Sequence, residues 1–289
     1  MDELAEKFEQ NRAQLRAVAY RMLGSISEAE DAVQEGWLRL NRSDMSEVAN
    51  LGGWLTTVVS RVCLDLLRSR KSRREDPLDY FVPDPIVTRL DPEEEALQVD
   101  SIGLAMLVVL EKLAPAERLA FVLHDMFGLS FDEIAAIVDK TPAATRQLAS
   151  RARRRVQGAP ASDGDRGRQR EVVDAFLAAS RGGDFEALLA VLDPDVVLRA
   201  DAGTASADSS GPAVSKLVRG ARAVVEQALT FTKLAPYSRP ALINGLPGVA
   251  TIVGDTLMGV MDVTVHNGRI TEINILADPT RLEHLAISA

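Results

Sequence analysis

The stretch that decides the fold covers residues 130–156 and reads SFDEIAAIVDKTPAATRQLASRARRRV. Ser130 followed by Glu133 has the spacing of a capping box, which favours the start of a short helix. Thr141 is a good N-cap for a second helix, and Pro142 occupies its first position, where proline is favoured. Two short helices joined by a tight turn predict a helix-turn-helix.

The second helix of this pattern has two different faces. Leu148, Ala149, Ala152 and Val156 share one face and can pack against the preceding helix. The opposite face carries short, amide and guanidinium side chains, which can approach base edges or phosphates. With the two caps and the tight turn, this division favours DNA binding over an ordinary arginine-rich surface helix. The predicted DNA-facing residues are Thr141, Ala143, Arg146, Gln147, Ser150, Arg153 and Arg154.

The residues before this stretch also read as helical, over 8–74. Ser27 with Glu30 has capping-box spacing and predicts a helix over 28–41. Residues 42–53 are polar and glycine-rich, which indicates a loop. An amphipathic helix follows from Trp54 and ends in a basic run.

Charge is unevenly distributed along the 289 residues, whose net charge is −9. Residues 61–74 and 146–170 are basic, whereas 76–117 are strongly acidic, so the overall sign does not exclude nucleic acid. No apolar run approaches the ~20 residues that span a bilayer, and the N-terminus lacks the apolar core of a signal peptide. The single cysteine, Cys63, cannot form an internal disulfide. These features favour a cytoplasmic protein.

A change of pattern after residue 170 predicts a separate α+β domain. Two short helices are broken by Gly182–Gly183, and Asn267–Gly268 is a strong hairpin signal. The predicted strands are 196–200, 239–244, 249–253, 257–265 and 269–276. The predicted organisation is a helical module over 1–75, an acidic proline-containing linker over 76–96, a second helical module over 97–158, a linker over 159–170 and the α+β domain over 171–289.

Three segments carry a resemblance to a known family. Residues 117–156 resemble region 4 of extracytoplasmic-function (ECF) sigma factors, which reads the −35 promoter element. Residues 20–40 resemble their region 2 clamp-binding helix, and residues 54–74 the following helix, which handles the −10 element. The resemblance implies two all-α sigma modules, a region 2 bundle and a region 4 helix-turn-helix. Ser60–Arg61 departs from the Arg-Asn pair that the family often has.

The resemblance also implies partners and roles. The partners are promoter DNA and core RNA polymerase, through its flap and the clamp helices of its largest subunit. Loop 43–53 would hold a flipped −10 base, at a cost of a few kcal/mol for unstacking. Contacts to the clamp helices fall to Asp31, Gln34, Glu35 and Leu38. Contacts to the DNA backbone fall to Arg61, Arg68, Arg70, Lys71, Arg73 and Arg74.

The C-terminal domain resembles the SnoaL-like domain, a cone-shaped α+β fold related to NTF2 and ketosteroid isomerase, of the SigJ-like subgroup of these sigma factors. The linker segment YFVPDPIV keeps the subgroup's Pro-acid-Pro motif, and ADPTRL partly matches its Asn-Pro-Asp-Lys-Leu motif. In relatives the domain is viewed as a built-in regulator. The implied interdomain regulatory residues are Tyr80, Phe81, Pro83, Asp84, Pro85, Asp278, Pro279 and Leu282.

Catalysis in the C-terminal domain is not favoured, because no candidate has a diagnostic spacing and fold analogy does not establish function. Outward-facing aspartates and an exposed His266 are expected. We predict no catalytic residue, cofactor or metal, with a small-molecule ligand as an open alternative. Two other functions remain open: a ligand-sensing DNA-binding regulator that does not contact polymerase, and an isomerase or cyclase with a helical appendage. The candidates for catalysis are Asp201, Tyr237, Asp255, Asp262 and His266.

Overall fold

The structure is a computed structural model, and it divides the chain into two compact units. Met1–Asp76 joins Val109–Ala159 in the first unit, and Pro77–Val108 joins Pro160–Ala289 in the second. The segment predicted as the first linker therefore groups with the C-terminal part of the chain. The described residues are 2–43, 48, 50–73, 79–88, 102–157, 165–203, 215–285 and 287–288.

The described part of the first unit is helical. Its core is aliphatic and is formed by residues such as Leu15, Met22 and Leu55, all essentially inaccessible to solvent. A π-helical turn, Val122–Met126, continues α5. The helices up to residue 157 are α1 (Asp2–Leu23), α2 (Ile26–Arg42), α3 (Leu51–Ser72), α4 (Leu104–Glu111), α5 (Pro115–Phe121), α6 (Phe131–Val138) and α7 (Pro142–Gln157).

The junction of α1 and α2 differs from the prediction. Gly24 has a φ of 67° and ends α1, and α2 begins immediately afterwards with Ser25 at its N-cap. The predicted capping box of Ser27 and Glu30 is therefore wrong, because both residues already lie inside the helix. The Glu30 carboxylate instead accepts a hydrogen bond from Arg12, at 3.3 Å.

The predicted loop 42–53 is too long at both ends. Arg42 still belongs to α2, and α3 already begins at Leu51. The early start has a local cause, because the Asn50 side chain caps the helix by accepting a hydrogen bond from the Gly53 amide, at 3.0 Å. Residues 44–47 and 49 lie outside the described residues.

The helix-turn-helix prediction is confirmed. The Ser130 and Glu133 side chains exchange hydrogen bonds with each other's backbone amides at the start of α6. Asp139 ends this helix in the left-handed conformation, with a φ of 56°. The Thr141 hydroxyl then accepts a hydrogen bond from the Ala144 amide at the start of α7. Caps at both helix starts fix the turn geometry.

The second unit contains an eight-stranded mixed sheet in the order β3-β2-β7-β6-β5-β4-β1-β8. Its helices, α8 (Arg166–Gly182), α9 (Phe185–Val191) and α10 (Ala221–Thr230), contribute to the core against one sheet face, and α11 (Pro279–Leu282) is one short turn. The strands are β1 (Val87–Thr88), β2 (Leu192–Asp201), β3 (Lys216–Arg219), β4 (Ser238–Ile243), β5 (Leu246–Val253), β6 (Thr256–His266), β7 (Arg269–Leu276) and β8 (Ile287–Ser288).

The α+β prediction for the C-terminal domain is confirmed, including the hairpin between β6 and β7. Asn267 and Gly268 have φ angles of 52° and 74°, the left-handed pair that a two-residue hairpin requires. Three short strands were not predicted: β3, β8 and β1. The last of these is notable, because Val87–Thr88 belongs to the segment predicted as a linker.

Candidate functional sites

The division of α7 into a buried and an exposed face is confirmed for most of the predicted residues, while Val156 is only half-buried. Leu148, Ala149 and Ala152 are buried. Thr145, which the sequence analysis did not place on this face, is also buried, and its hydroxyl donates to the Thr141 carbonyl at 3.0 Å. The opposite face exposes most of the residues predicted to meet DNA, namely Thr141, Ala143, Arg146, Gln147, Ser150 and Arg154.

Two arginines of the predicted DNA-facing set already have intramolecular contacts. Arg153 is half-buried, and its Nε donates to Asp125 Oδ1 at 2.6 Å. The Arg146 guanidinium lies above the Phe131 ring, 5.1 Å from its centroid. A cation–π contact of this kind orients an exposed arginine without neutralising its charge.

Glu117 anchors α7 to α5. Its carboxylate is buried and accepts hydrogen bonds from Arg151 Nε at 2.7 Å and Arg155 Nη1 at 3.0 Å. These two arginines thus support the orientation of α7, while Arg146 and Arg154 remain exposed. The arginine-rich sequence therefore includes residues that pack α7 against α5 and others that stay exposed.

The α2 face predicted to meet polymerase is mostly open to solvent. Asp31 and Gln34 are exposed, and Leu38 keeps 40% of its surface accessible although it is apolar. Glu35 is half-buried and accepts a hydrogen bond from Arg39 Nε at 2.8 Å. A single exposed leucine is ordinary on a protein surface, so this face is accessible to a partner but its composition does not by itself indicate one.

The basic residues of α3 are not equivalent. The Arg61 Nη2 donates to the carbonyl of Ala136 at 2.8 Å. This carbonyl belongs to the last turn of α6, where backbone acceptors lack helical partners, so Arg61 caps α6. Arg68 lies 3.7 Å from Asp65. Arg70 pairs with Glu28, Lys71 and Arg73 are exposed, and Arg74 lies outside the described residues.

Arg118 connects the two helical groups of the first unit from the inside. It is 1% exposed, and its Nη2 donates to Glu111 Oε1 at 2.6 Å. Its Nε also donates to the backbone carbonyl of Arg21, on α1, at 3.3 Å. A buried charge of this kind needs its partners, so Arg118 favours the arrangement in which α5 packs near α1.

The linker segment is held to the C-terminal domain by Arg281. Its Nη1 donates to Asp201 Oδ2 at 2.8 Å, and its Nε donates to Asp84 Oδ1 at 2.8 Å. Its Nη2 donates to the Val82 carbonyl at 2.6 Å, and its guanidinium lies 5.2 Å above the Phe81 ring. We call this group of five residues the Arg281 clamp.

Backbone hydrogen bonds extend the same attachment. β1 pairs antiparallel with β4, so that Val87 lies opposite Ile243. The Asn244 side chain accepts from the Ile86 amide at 2.7 Å and donates to the Ile102 carbonyl at 3.0 Å. Both ends of the described linker segment are therefore fastened to the same domain.

Comparisons with known proteins agree with the helical modules. The Sigma-70 region 2 family matches residues 8–73, and the Sigma-70, region 4 family matches residues 104–156. A probable ECF RNA polymerase sigma factor SigI of Mycobacterium tuberculosis is 35% identical over 98% of this chain and 96% of its own length. The chain belongs to the ECF RNA polymerase sigma factors.

Similarity to these sigma factors includes the C-terminal domain. The ECF sigma factor SigJ of M. tuberculosis is 37% identical over 95% of this chain and 92% of its own length. The crystal structure of M. tuberculosis SigJ has a TM-score of 0.77 and 34% identity, and covers 98% of this chain and 99% of that one. The resemblance to the SigJ-like subgroup is confirmed.

Family membership decides between the functions that the sequence left open. An ECF sigma factor binds core RNA polymerase and promoter DNA to start transcription, so this chain is neither an isomerase nor a regulator that avoids polymerase. Sigma factors are not enzymes, in agreement with the prediction. Among the described residues, no helix combines the length and the apolar character needed to cross a membrane.

The C-terminal domain of this sigma factor contains a cavity of about 450 Å³, partly open to solvent, between the sheet and helices α8 and α10. Apolar side chains such as Phe176, Val249 and Ile273 form most of its wall. Pro279 and Leu282 of α11 line it as well. A volume of this size lies within the range of small-molecule sites.

The five candidates for catalysis do not line this cavity in the described part of the chain. Tyr237, Asp255 and His266 are exposed, as expected for His266. The expectation of outward-facing aspartates is wrong for two residues, because Asp201 and Asp262 are buried. Asp201 belongs to the Arg281 clamp. Asp262 lies on the sheet face opposite the cavity.

Burial changes the acidity of two groups in this sigma factor. Desolvation raises the pKa of Asp262 to about 7, although a hydrogen bond from Asn274 Nδ2, at 3.3 Å, opposes the shift. The nearby Glu272, which pairs with Arg199, adds to the rise. Burial also raises the pKa of Cys63 to about 12, which keeps its thiol protonated and unreactive.

The residues of the clamp were only partly foreseen. Asp84 and Phe81 were expected to be regulatory, but Arg281, which joins them to the domain, was not. The sequence contained a signal for Arg281, because this residue stands where the Asn-Pro-Asp-Lys-Leu motif of the subgroup has a lysine, which is also basic. Asp278 caps α11 by accepting from the Thr280 amide at 3.0 Å, and thereby fixes the turn that carries Arg281.

Proposed function

We propose that this sigma factor is regulated in cis: its C-terminal domain restrains the linker between regions 2 and 4 through the Arg281 clamp. The observation that supports this most directly is the set of charge-assisted hydrogen bonds from Arg281 to Asp84 and to the Val82 carbonyl. Hydrogen bonds to charged groups contribute about 1.5–3 kcal/mol each when they are shielded from water.

Restraint is the proposed direction of this regulation. Regions 2 and 4 lie together in one compact unit, where Arg61 contacts α6 and Arg118 contacts α1. Two promoter elements that lie apart along a duplex require the regions to separate. A linker fastened to the C-terminal domain by β1 and the clamp opposes that separation, so clamp release favours initiation.

The proposed contact surfaces follow from exposure and charge. The α7 residues Arg146, Gln147 and Arg154 would meet the −35 element, together with Thr141, Ala143 and Ser150. Arg153 would do so only after leaving Asp125. On α3, the DNA backbone would be contacted by Arg68, Lys71 and Arg73. Arg61 and Arg70 would contact DNA only after leaving Ala136 and Glu28, their partners within the chain. Arg74 is proposed as a further DNA contact on the basis of the sequence. The α2 face formed by Asp31, Gln34, Glu35 and Leu38 would meet the clamp helices of polymerase.

Two further features belong to this proposal. The chain would act in the cytoplasm, because its partner polymerase transcribes there. The cavity of the C-terminal domain would take up a small molecule, which provides a means to set the strength of the clamp. The location follows from the sigma function, and the link between the ligand and the Arg281 clamp follows from the position of the cavity beside α11.

Promoter-selective transcription in vitro tests the regulation in cis. The full-length chain is compared with Arg281→Met, which keeps an apolar stem but removes the charge, and with Asp84→Asn, which weakens the same contact from the linker side. Both variants are expected to raise specific initiation severalfold at limiting sigma factor. Arg222→Met is the matched control, because Arg222 lies in the same domain with 81% of its side chain exposed.

The direction of the effect decides the proposal. Unchanged or reduced initiation by both clamp variants, with core polymerase binding intact, would contradict restraint by the clamp. Core binding is measured in parallel, so that a folding defect in either variant is recognised.

A further inference from the structure

The cavity of the C-terminal domain has a mostly apolar wall in which, among the described residues, two side chains carry charge: Lys216 and the exposed Glu283, which directly follows α11. Lys216 on β3 lines it, and the Lys216 ammonium lies 5.7 Å from the centroid of the Phe231 ring. Among the described residues no carboxylate pairs with Lys216. Partial desolvation lowers the pKa of this lysine. An ammonium in such surroundings is better stabilised by an anion than by the ring alone.

A second polar group in the wall also lacks a partner. The Ser180 hydroxyl is buried and has no hydrogen-bond acceptor or donor within reach in the described part of the chain. Leaving such a group unsatisfied costs about 1–3 kcal/mol, and native proteins rarely do so. Ser238 and Thr251, in contrast, satisfy each other at 3.0 Å. The Ser180 oxygen is closed to solvent, so Lys216, and not this hydroxyl, is the polar group of the wall on which the assignment of a ligand rests.

We propose that this cavity binds an apolar small molecule bearing a single carboxylate, with the carboxylate paired to Lys216 and the hydrophobic body against Phe176, Val249 and Ile273. The chemistry is that of a fatty acid or of a hydrophobic aromatic acid. The binding site stands on the cavity and on Lys216; its regulatory consequence rests on the proposed function of the clamp.

The short helix α11 connects this site to the linker. Pro279 and Leu282 line the cavity, whereas Arg281, between them in sequence, contacts Asp84 and Val82. A helix of four residues has almost no stability of its own, so its position depends on packing. An occupant adds contacts to Leu282 and Pro279, which stabilises α11 in the position that closes the clamp. The ligand therefore tightens the hold on the linker.

Isothermal titration of the full-length chain with decanoate tests the site. Decanoate and 1-decanol have the same apolar body, and only decanoate carries the negative charge. We expect decanoate to bind at least tenfold more tightly than decanol, and Lys216→Met to abolish this preference while decanol binding persists. Lys233→Met is the matched control, since Lys233 is exposed in the same domain. Naphthoate, a hydrophobic aromatic acid, is titrated in parallel. Tighter binding of naphthoate than of decanoate indicates an aromatic acid as the ligand, and the reverse indicates a fatty acid.

Two results would overturn the site. One is the failure of both decanoate and naphthoate to bind. The other is equal affinity for decanoate and decanol, or a preference for decanoate that Lys216→Met retains. A Lys216→Met chain that still binds decanol is folded at the cavity, so loss of the preference cannot be attributed to unfolding.

Hydrogen exchange tests the coupling separately. Saturating decanoate is expected to slow exchange at Val82, Ile86 and Val87 in the parent chain. In Arg281→Met, decanoate should still bind but leave exchange near Val82 unchanged. Binding without slower exchange in the parent would refute the coupling. The clamp itself is tested by transcription in the absence of ligand, so its failure is distinguishable from failure of the site.

Discussion

Arg281 donates hydrogen bonds to Asp84, a residue 197 positions earlier in the chain. The same guanidinium reaches Asp201 across 80 positions. Two carboxylates and a carbonyl thus converge on one arginine, which is 22% exposed. The two ends of this contact belong to the linker and to the C-terminal domain, so Arg281 joins them by its side chain, in addition to the pairing of β1 with β4.

The linker should become sensitive to proteolysis when the clamp is removed. Tyr80 and Phe81 are half-buried, and Phe81 packs beneath the guanidinium of Arg281. We expect Arg281→Met to speed chymotrypsin cleavage after these residues by about tenfold or more, because losing charge-assisted hydrogen bonds costs about 1.5–3 kcal/mol each. Peptide mapping of early digests measures the rate. Cleavage at the parental rate would show that β1 alone holds the segment.

Recognition of the −35 element should depend on Gln147 more than on the end of the same helix. Gln147 is exposed near the start of α7, whereas Gln157 is exposed at its last residue. We expect Gln147→Ala to weaken binding to the preferred promoter by about 1–3 kcal/mol and to relax base preference, as loss of a bidentate base contact does. Gln157→Ala serves as the control, with little change expected in competition binding.

The salt dependence of DNA binding distinguishes two roles for Arg146, contact with a phosphate and contact with a base. If it contacts a phosphate, Arg146→Ala weakens binding uniformly across sequences and reduces the salt slope by about one. Its position above Phe131 keeps the guanidinium oriented and charged, which suits such a contact. Titration of promoter DNA at several salt concentrations gives the slope. An unchanged slope with altered base preference would indicate base contact instead.

Leu38 should contribute to polymerase binding without contributing to stability. It is 40% exposed on α2, and Leu66 on α3 is 38% exposed, so the two leucines form a matched pair. We expect Leu38→Ala to reduce affinity for core polymerase by about 1–2 kcal/mol, the scale of a moderate interface residue. Leu66→Ala should leave affinity nearly unchanged. Equal effects of the two substitutions would contradict the assignment of the α2 face.

Asp262 makes the stability of the chain depend on pH in an identifiable window. Its pKa is about 7 in the folded protein against 3.8 for the ordinary group, so the folded state retains a proton that the unfolded state releases. Stability from this group is complete below pH ~4 and falls as pH rises towards about 7. The loss amounts to a few kcal/mol, since one pKa unit corresponds to ~1.4 kcal/mol.

Asp262→Asn removes this proton while keeping a similar shape beside Asn274. Between pH ~4 and ~7 the variant should lose less stability than the parent, and at pH 8 it should melt at the same temperature or higher. The difference in melting temperature between the two proteins at each pH measures the effect of Asp262, because the other carboxylates are the same in both. A parallel pH dependence in parent and variant would show that Asp262 does not titrate in the window.

Local signals explain why the helix-turn-helix was predictable. The caps at Ser130 and Thr141 act within three residues, and the buried stripe on α7 repeats at helical spacing, so both features are visible in sequence. The start of α2 was misplaced because Ser25 and Ser27 both suit an N-cap. Gly24 ends α1 in the left-handed conformation, and the chain then enters α2 directly with Ser25 as the N-cap.

Long-range contacts explain what the sequence did not show. β1 has only two residues, and it is a strand because β4 offers a partner, not because Val87–Thr88 has a strand pattern. Asp201 and Asp262 look alike as isolated aspartates on strands, yet one accepts from Arg281 and the other becomes a buried acid beside Asn274. Such roles depend on neighbours that are far away in sequence.

The pairing of β1 with β4 has a consequence for the released linker. While β1 is in place, it covers one side of β4 at Leu242 and Ile243. When the linker leaves, that side becomes an exposed strand edge, which invites pairing with any extended peptide or with a second molecule of the same protein. If release of the linker is the activating step, as proposed, we expect the active conformer to self-associate more readily than the restrained one.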